Sequence, residues 1–123
     1  LVLIVGANTG ASFAAFQLTF NSDTGSNYNR VFMRADGSSA TSGATSGAAR
    51  IETYGTVGDS VTQVDIMDYS KTNKHKSVLI AFANATNVVS RLMGRWADTS
   101  AITSLTVTGN YPAGSTFRLL GVN

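Results

Sequence analysis

Short runs of β-branched and aromatic residues, separated by clusters of turn-forming residues, are the feature that most limits how this 123-residue chain can fold. The runs follow one another at a spacing of roughly 8–12 residues, which is typical of an all-β sandwich or barrel. No βαβ rhythm is present, so the sheets are expected to be mainly antiparallel. The sequence therefore predicts one domain over residues 1–123, an antiparallel, jelly-roll-like β-sandwich of eight or nine strands.

The individual strands are predicted from the spacing of their apolar residues. Residues 1–5 are apolar throughout, which is typical of a strand buried on both faces. In residues 16–20 the apolar Phe16, Leu18 and Phe20 alternate with polar residues, which indicates a half-buried strand. Further strands are predicted over residues 28–35, 50–54, 61–69, 77–83, 102–108 and 116–122.

Two segments do not follow this pattern. Residues 38–49 contain only Ser, Ala, Thr and Gly, and such small side chains bury too little apolar surface to offset the entropy cost of ordering them. We therefore expect a mobile loop there, which could be shortened at a cost of about 1 kcal/mol or less. Residues 84–96 fit two structures equally well, a helix with Thr86 as its N-cap, or a strand with Leu92 and Trp96 on one face.

Composition excludes several classes of function. Only 13% of the residues are charged, about half the share of roughly 25% that is usual in soluble proteins. The net charge of +2 is too small to predict a nucleic-acid partner. Because cysteine is absent, the chain has no disulfide, zinc–thiolate cluster or thiol nucleophile. No apolar run approaches the roughly 18 residues of a membrane-spanning helix, so no membrane partner is predicted.

Few residues could support catalysis. His75 is the only histidine, and its neighbours Lys74 and Lys76 supply no carboxylate that could orient it as a general base. We expect these three residues to lie in a solvent-exposed basic loop that could contact a sugar phosphate or an acidic partner. Asp65 and Asp68 would point to opposite faces of a strand, so they cannot act as an acid and base pair.

The other candidates for binding are one turn carboxylate and the aromatic rings. Asp23 lies in a cluster of turn-forming residues and is expected to bond the amides of its own turn, with a calcium ion as the alternative. Tyr28 and Tyr111 lie beside predicted turns, so they are the rings most expected to be exposed and to stack on sugars. Trp96 aligns with Leu92 and is expected in the core. These residues do not compose an active site, and no cofactor is predicted.

Three motifs taken together point to a family. They are FNSDTGSNY at residues 20–28, YSKTNKHKSVL at residues 69–79, and a block that runs from Trp96 through SAITSLT to GSTF at residues 114–117. In this order and spacing they resemble a β-sandwich domain of structural proteins of tailed bacteriophages, cyanophages included. The resemblance spans nearly the whole chain, and its final block is the most specific part. The family usually has a further strand before the segment that corresponds to residues 1–5, and that lead is absent here.

The resemblance implies a non-enzymatic protein on the exterior of the virion, either a tail-fibre or tail-spike domain or a capsid decoration protein. Its partners would be other virion proteins. The resemblance also favours a strand over residues 84–96. The alternative hypothesis is a carbohydrate-binding module that attaches the particle to a glycan of the host surface, and a hydrolase fragment is a third.

Self-association as a homotrimer is expected on two grounds. The phage proteins that the sequence resembles are commonly trimeric. In addition, residues 28–35 carry bulky apolar side chains on both strand faces, with Phe32 opposite Val31 and Met33. This exceeds what one core needs, and extra exposed apolar surface usually marks an interface.

Overall fold

The computed structural model describes residues 1–7, 15–53 and 58–122, and over these ranges it contains strands, turns and bends but no helix. Ten strands are present, one more than the upper number predicted. In chain order they are β1 (Val2–Ala7), β2 (Gln17–Phe20), β3 (Tyr28–Ala35), β4 (Ala40–Ala48), β5 (Ile51–Glu52), β6 (Ser60–Ile66), β7 (Lys76–Asn84), β8 (Val89–Trp96), β9 (Leu105–Thr108) and β10 (Thr116–Leu120).

The strands form two sheets. The larger has seven strands in the order β10-β1-β6-β7-β8-β3-β4, and the smaller has three in the order β5-β2-β9. Every neighbouring pair is antiparallel. Side chains from both sheets meet in one buried apolar cluster that includes Leu3, Leu18, Val64, Ile80 and Trp96. The predicted all-β antiparallel sandwich is therefore confirmed.

The ambiguous segment 84–96 forms the turn and the second strand of a hairpin. β7 ends at Asn84, a short turn follows, and β8 begins at Val89. The Asn84 side-chain oxygen accepts hydrogen bonds from the backbone amides of Thr86, at 3.2 Å, and Val88, at 2.8 Å, and so closes the turn. Thr86 therefore lies in a hairpin turn and caps no helix. Leu92 and Trp96 are both buried on the core face of β8, because strand side chains alternate between faces.

The first strand is less buried than its composition suggests. In β1 only the alternate residues Leu3, Val5 and Ala7 are buried, whereas Val2 and Ile4 are partly exposed. The prediction of burial on both faces is wrong, since the small sheet covers one face of the large sheet only. The apolar residues of the other face are left at the surface.

The prediction of a mobile loop over residues 38–49 is also wrong. Residues Ala40–Ala48 form β4, which pairs with β3 in a regular register from Ala35↔Ala40 to Arg30↔Thr45. The segment lacks an apolar pattern because it is an edge strand held by backbone hydrogen bonds to β3, with little side-chain burial. The Asp36-Gly37 turn predicted before it is present, with Gly37 at a φ of 84°.

A small residue is required at one point of β4. A Cβ added to Gly43 would lie 2.8 Å from the ring of Phe32 on the neighbouring strand. We expect Gly43→Val to lower the free energy of unfolding by about 1–3 kcal/mol, because the ring must move to admit the new side chain. Ala44→Val is the matched control: Ala44 is exposed on the other face of β4, and its change should stay within about 0.5 kcal/mol. Equal urea midpoints for the two variants would contradict this account.

Candidate functional site

Tyr28, predicted to be an exposed ring for sugar stacking, is fully buried at 0% exposure. Its ring lies in the core beside Trp96, with ring centroids 6.4 Å apart. The Tyr28 hydroxyl accepts a hydrogen bond from the backbone amide of Phe20, at 2.9 Å, and donates one to the carbonyl of Asp23, at 3.1 Å. The prediction was wrong because a ring beside a turn can point inward when its hydroxyl is needed to close that turn. Tyr28 is a structural residue.

Tyr111 is not a free ring either. It is partly buried against the core and makes an edge-to-face contact with Phe117, with ring centroids 5.1 Å apart. Burial raises the pKa of the Tyr111 hydroxyl to about 12. Of the two remaining tyrosines of the chain, Tyr69 is 39% exposed and Tyr54 lies outside the described residues. Tyr28 therefore offers no ring to a sugar, and the ring of Tyr111 is partly covered by the core and by Phe117.

The predicted basic loop is only partly exposed. Lys74 and His75 lie at the surface, and the Lys74 ammonium is 3.0 Å from a carboxylate oxygen of Asp68. Asp68 lies in a turn with a φ of 54°, so the expected strand geometry relative to Asp65 does not apply. Lys76 departs from the prediction altogether, because it is the first residue of β7 and is 0% exposed.

The buried ammonium of Lys76 is hydrogen-bonded within the protein. The ammonium donates hydrogen bonds to the carbonyl of Lys74, at 2.9 Å, and to the carbonyl of Thr99, at 3.0 Å. These bonds join the end of the basic loop to the segment that follows β8. An isolated buried ammonium is costly unless acceptors surround it, and the two carbonyls supply that compensation. Lys76 therefore acts in folding and is not available to a partner.

Asp23 connects the loop between β2 and β3, which links the two sheets, to the core. One carboxylate oxygen accepts the backbone amide of Gly25 at 2.8 Å, and the other accepts the Asn27 amide at 2.9 Å and the Trp96 indole N–H at 2.6 Å. The predicted bonding of turn amides is present, and the indole is an addition that the sequence did not indicate. The Trp96 bond, followed by that from Asn27, holds the pKa of Asp23 below its ordinary value of 3.8.

This arrangement predicts lower stability in acid. Because the folded protein holds the pKa of Asp23 below its unfolded value, the carboxylate contributes stability above about pH 4 that is lost as the pH falls through the lowered folded pKa. We expect the urea midpoint at pH 3 to fall well below that at pH 6, and Asp23→Asn to reduce this difference. Trp96→Phe, which removes the indole donor, should reduce it in part. An Asp23→Asn variant with the full wild-type pH dependence would exclude this role.

The other carboxylates with lowered pKa values serve their own turns. Hydrogen bonds from Ser39 and Ser38 lower the pKa of Asp36 to about 2. The backbone amide of Ser100 donates to Asp98 at 2.6 Å and lowers the pKa of that carboxyl. Among the described residues, no group of three His, Cys, Asp or Glu side chains is placed to hold a metal ion. No helix of the described ranges is long and apolar enough to cross a membrane.

The most extensive feature of the surface is the side of the large sheet that points away from the core, which we call the outer face. Strand pairing aligns its side chains in rows that cross all seven strands. The first row is Leu120, Val2, Asp65, Leu79, Met93, Val31 and Ala44. The second is Arg118, Ile4, Gln63, Ala81, Arg91, Met33 and Ser42. The third is Thr116, Gly6, Val61, Ala83, Val89, Ala35 and Ala40.

These rows are unusually apolar for a surface that faces water. Met33 is 65% exposed, Met93 63%, Val31 58% and Val89 55%. The third row contains no charged residue. Small alanines lie between the larger side chains and form the floor of an open groove of about 750 Å³, with Met33, Val61, Val89 and Arg91 among the residues that line it. The outer face can bury apolar side chains of another molecule, but it holds no constellation of catalytic groups.

Sequence reasoning noted the apolar residues but did not assemble this face. The sequence does contain an indication of it, because successive residues of β3 and β8 are apolar and therefore point to opposite faces of the sheet. In β3, Val31 and Met33 lie on the face opposite to Phe32, and in β8, Met93 follows Leu92. The predicted contact residues Tyr28, Tyr111, Lys74, His75 and Lys76 belong to none of the rows. Strand order could not be read from the chain, so the rows could not be either.

Comparison with known proteins identifies no relative: no protein-family model, no curated protein and no solved structure matches the chain.

Proposed function

We propose that the protein is a non-enzymatic structural component of a bacteriophage virion, located on the particle exterior as a tail-fibre or tail-spike domain or as a capsid decoration protein. The sequence resemblance supports the virion assignment. The observation that supports a structural role is the apolar outer face. A sheet face that remains in water normally has polar side chains, whereas this one is mostly apolar. We further propose that this face is buried between copies of the chain in a homotrimer.

The contiguity of the exposed apolar side chains on the outer face supports burial in an assembly. Val31, Met33, Val89 and Met93 belong to the adjacent strands β3 and β8, so their exposed surfaces are contiguous. Contiguous apolar patches of this kind on a folded domain usually mark an interface. Removing this surface from water stabilises the contact by about 25 cal/mol for each Å² buried.

The charges on the outer face favour contact with another copy. Asp65 is the one carboxylate of the three rows, whereas Arg91 and Arg118 carry positive charge in the neighbouring row. A head-to-tail contact between copies would place Asp65 of one copy near an arginine of the next. Such contacts close into a ring when the rotation between copies is a simple fraction of a turn, as in a trimer.

The carbohydrate-binding alternative has lost its main support. It depended on exposed rings, yet Tyr28 is buried in the core and Tyr111 packs against Phe117. Methionine, valine and alanine line the groove on the outer face together with polar residues such as Gln63 and Arg91. Its one aromatic lining residue, Phe82, is buried at 5% exposure and offers no open ring to a sugar. Of the two functions, assembly is the one that the geometry favours.

Light scattering after size-exclusion chromatography tests the trimer directly. At tens of micromolar the protein should have about three times the mass of one chain. The double variant Met33→Lys, Met93→Lys should be smaller, because it adds charge to the apolar rows. The double variant Thr106→Lys, Thr108→Lys is the matched control, since it adds the same charge at exposed positions of the small sheet and should keep the wild-type mass. A wild-type monomer under these conditions would overturn the trimer.

The virion location has a separate test. Mass spectrometry of purified phage particles should detect the protein and measure its copy number relative to the major capsid protein. A decoration protein should approach the number of capsid sites, whereas a fibre or spike protein should be far less abundant. Absence of the protein from purified particles would overturn the virion assignment whatever the oligomeric state.

A further inference from the structure

β4 is an edge strand without the usual protection against pairing. In the described part of the chain it pairs with β3 alone, so alternate residues direct their backbone N–H and C=O groups away from the sheet. Natural edge strands are usually interrupted by lysine, proline, a bulge or an inward-pointing charge. β4 reads ATSGATSGA, with no charged residue and no proline. Its register is regular over residues 40–45, and the irregularity lies beyond them.

We propose that this edge pairs with the β4 edge of a second copy of the chain, in antiparallel orientation about a two-fold axis perpendicular to the sheet. The two seven-stranded sheets would join into one continuous sheet with both outer faces on the same side. This contact is distinct from the outer-face contact proposed above and does not depend on it. In a trimer built through the outer face, it would join one trimer to another.

The direction of the strands selects β4 as its own partner. Because all six neighbouring pairs of the large sheet are antiparallel, its two edge strands β4 and β10 run in the same direction. If β4 of one copy paired with β10 of another and both outer faces lay on the same side, the two strands would be parallel. An antiparallel β4–β10 pair would require one copy to be turned over, so that its outer face lay on the core side of the other. Only self-pairing of an edge keeps the antiparallel order and both outer faces together.

The charges then distinguish the two edges. A two-fold contact brings each residue close to its own equivalent, so a charged residue near the axis repels itself. β10 is five residues long and carries Arg118 at its centre, which disfavours self-pairing. β4 carries only Ala, Thr, Ser and Gly, so neither charge nor side-chain bulk opposes the approach of a second copy.

The geometry makes a specific prediction for cross-linking. Directly opposed residues of two antiparallel strands have side chains on the same face of the sheet. When two copies of β4 pair about a two-fold axis with both outer faces on the same side, one residue must therefore lie opposite the same residue of the second copy. The Cα atoms of two cysteines at that position lie about 4.5–5.5 Å apart, a separation that suits a disulfide. Because the chain has no cysteine of its own, each single-cysteine variant reports on one position only.

The experiment introduces cysteine singly at Ala40, Thr41, Ser42, Ala44 and Thr45. Leu119→Cys on the opposite edge is the control, because it is exposed and keeps the charge of Arg118. After mild oxidation at tens of micromolar, one β4 position should form a covalent dimer at least tenfold faster than the control on a non-reducing gel. Gly43 is omitted because a side chain there meets Phe32. If the axis passes through Gly43, Ser42 and Ala44 are opposed to each other, so mixing Ser42→Cys with Ala44→Cys should give the fast heterodimer.

The result can be separated from that of the trimer. Introducing Met33→Lys and Met93→Lys into the fastest cysteine variant should remove the trimer and leave the β4 cross-link. Adding a lysine at Thr41, or at Thr45 when Thr41 carries the cysteine, should slow the cross-link and leave the trimer intact, because both side chains point away from the outer face. If every β4 variant and the mixture cross-link no faster than Leu119→Cys, the edge does not self-pair and the proposal is wrong.

Discussion

Replacing Trp96 with alanine is expected to lower the free energy of unfolding by about 3–5 kcal/mol. Trp96 is 1% exposed, and its ring packs against Phe20 and Tyr28 with centroid distances of 5.5 and 6.4 Å. Alanine would leave a cavity in the most aromatic part of the core and would also remove the indole donor from Asp23. Urea denaturation followed by far-ultraviolet circular dichroism measures the loss.

Two further variants separate these contributions. Trp96→Phe keeps most of the ring volume but removes the hydrogen bond to Asp23, so it should cost about 1–3 kcal/mol. Tyr69→Ala removes a ring that is 39% exposed and should cost less than either Trp96 variant. If Trp96→Ala had the stability of Tyr69→Ala, the ring could not be part of the core.

The second large effect is expected at Lys76. Lys76→Met keeps the length and apolar stem of the side chain but removes the ammonium, which leaves the partly buried carbonyls of Lys74 and Thr99 without this donor. We expect a loss of about 2–3 kcal/mol, because unpaired buried polar groups keep their full desolvation cost. Thermal or urea unfolding at neutral pH measures it.

Lys74→Met is the matched control for this change. It makes the same substitution two residues earlier, on an exposed side chain whose ion pair with Asp68 lies at the surface. Surface ion pairs contribute at most about 1 kcal/mol, so this variant should remain close to the wild type. If Lys74→Met were as destabilising as Lys76→Met, the buried hydrogen bonds would not explain the effect.

Local patterns were sufficient to predict the fold class and several strands. The alternation of apolar residues in 16–20 and the run in 28–35 correspond to β2 and β3, because a strand with one buried face repeats every two residues. Trp96 was placed in the core for the same reason. The inward orientation of Val64 and Ile66, with Asp65 on the opposite face, also follows from this alternation.

The errors share a physical cause: they concern groups whose environment is created by another segment of the chain. β4 is ordered by backbone bonds to β3, which a search for apolar side chains does not detect. Lys76 is buried because the carbonyl of Thr99 reaches its ammonium from another segment. Tyr28 is buried because its hydroxyl bonds to Phe20, and nothing in the adjacent turn residues indicates that bond.

The pairing of the first strand with the last has a consequence for how the protein acquires its structure. Within the described ranges β10 pairs with β1 alone, so the register Val2↔Leu120 joins residues that lie far apart in the sequence. Such non-local pairing has a large loop-closure entropy cost, and the contacts that offset this cost form only afterwards. Folds that depend on it therefore reach the native state slowly, in milliseconds to seconds. During synthesis on the ribosome, β1 therefore has to wait for β10 to emerge before this edge of the sheet can form. Until then one edge of β1 remains open, and it is at this stage that the chain is most exposed to aggregation.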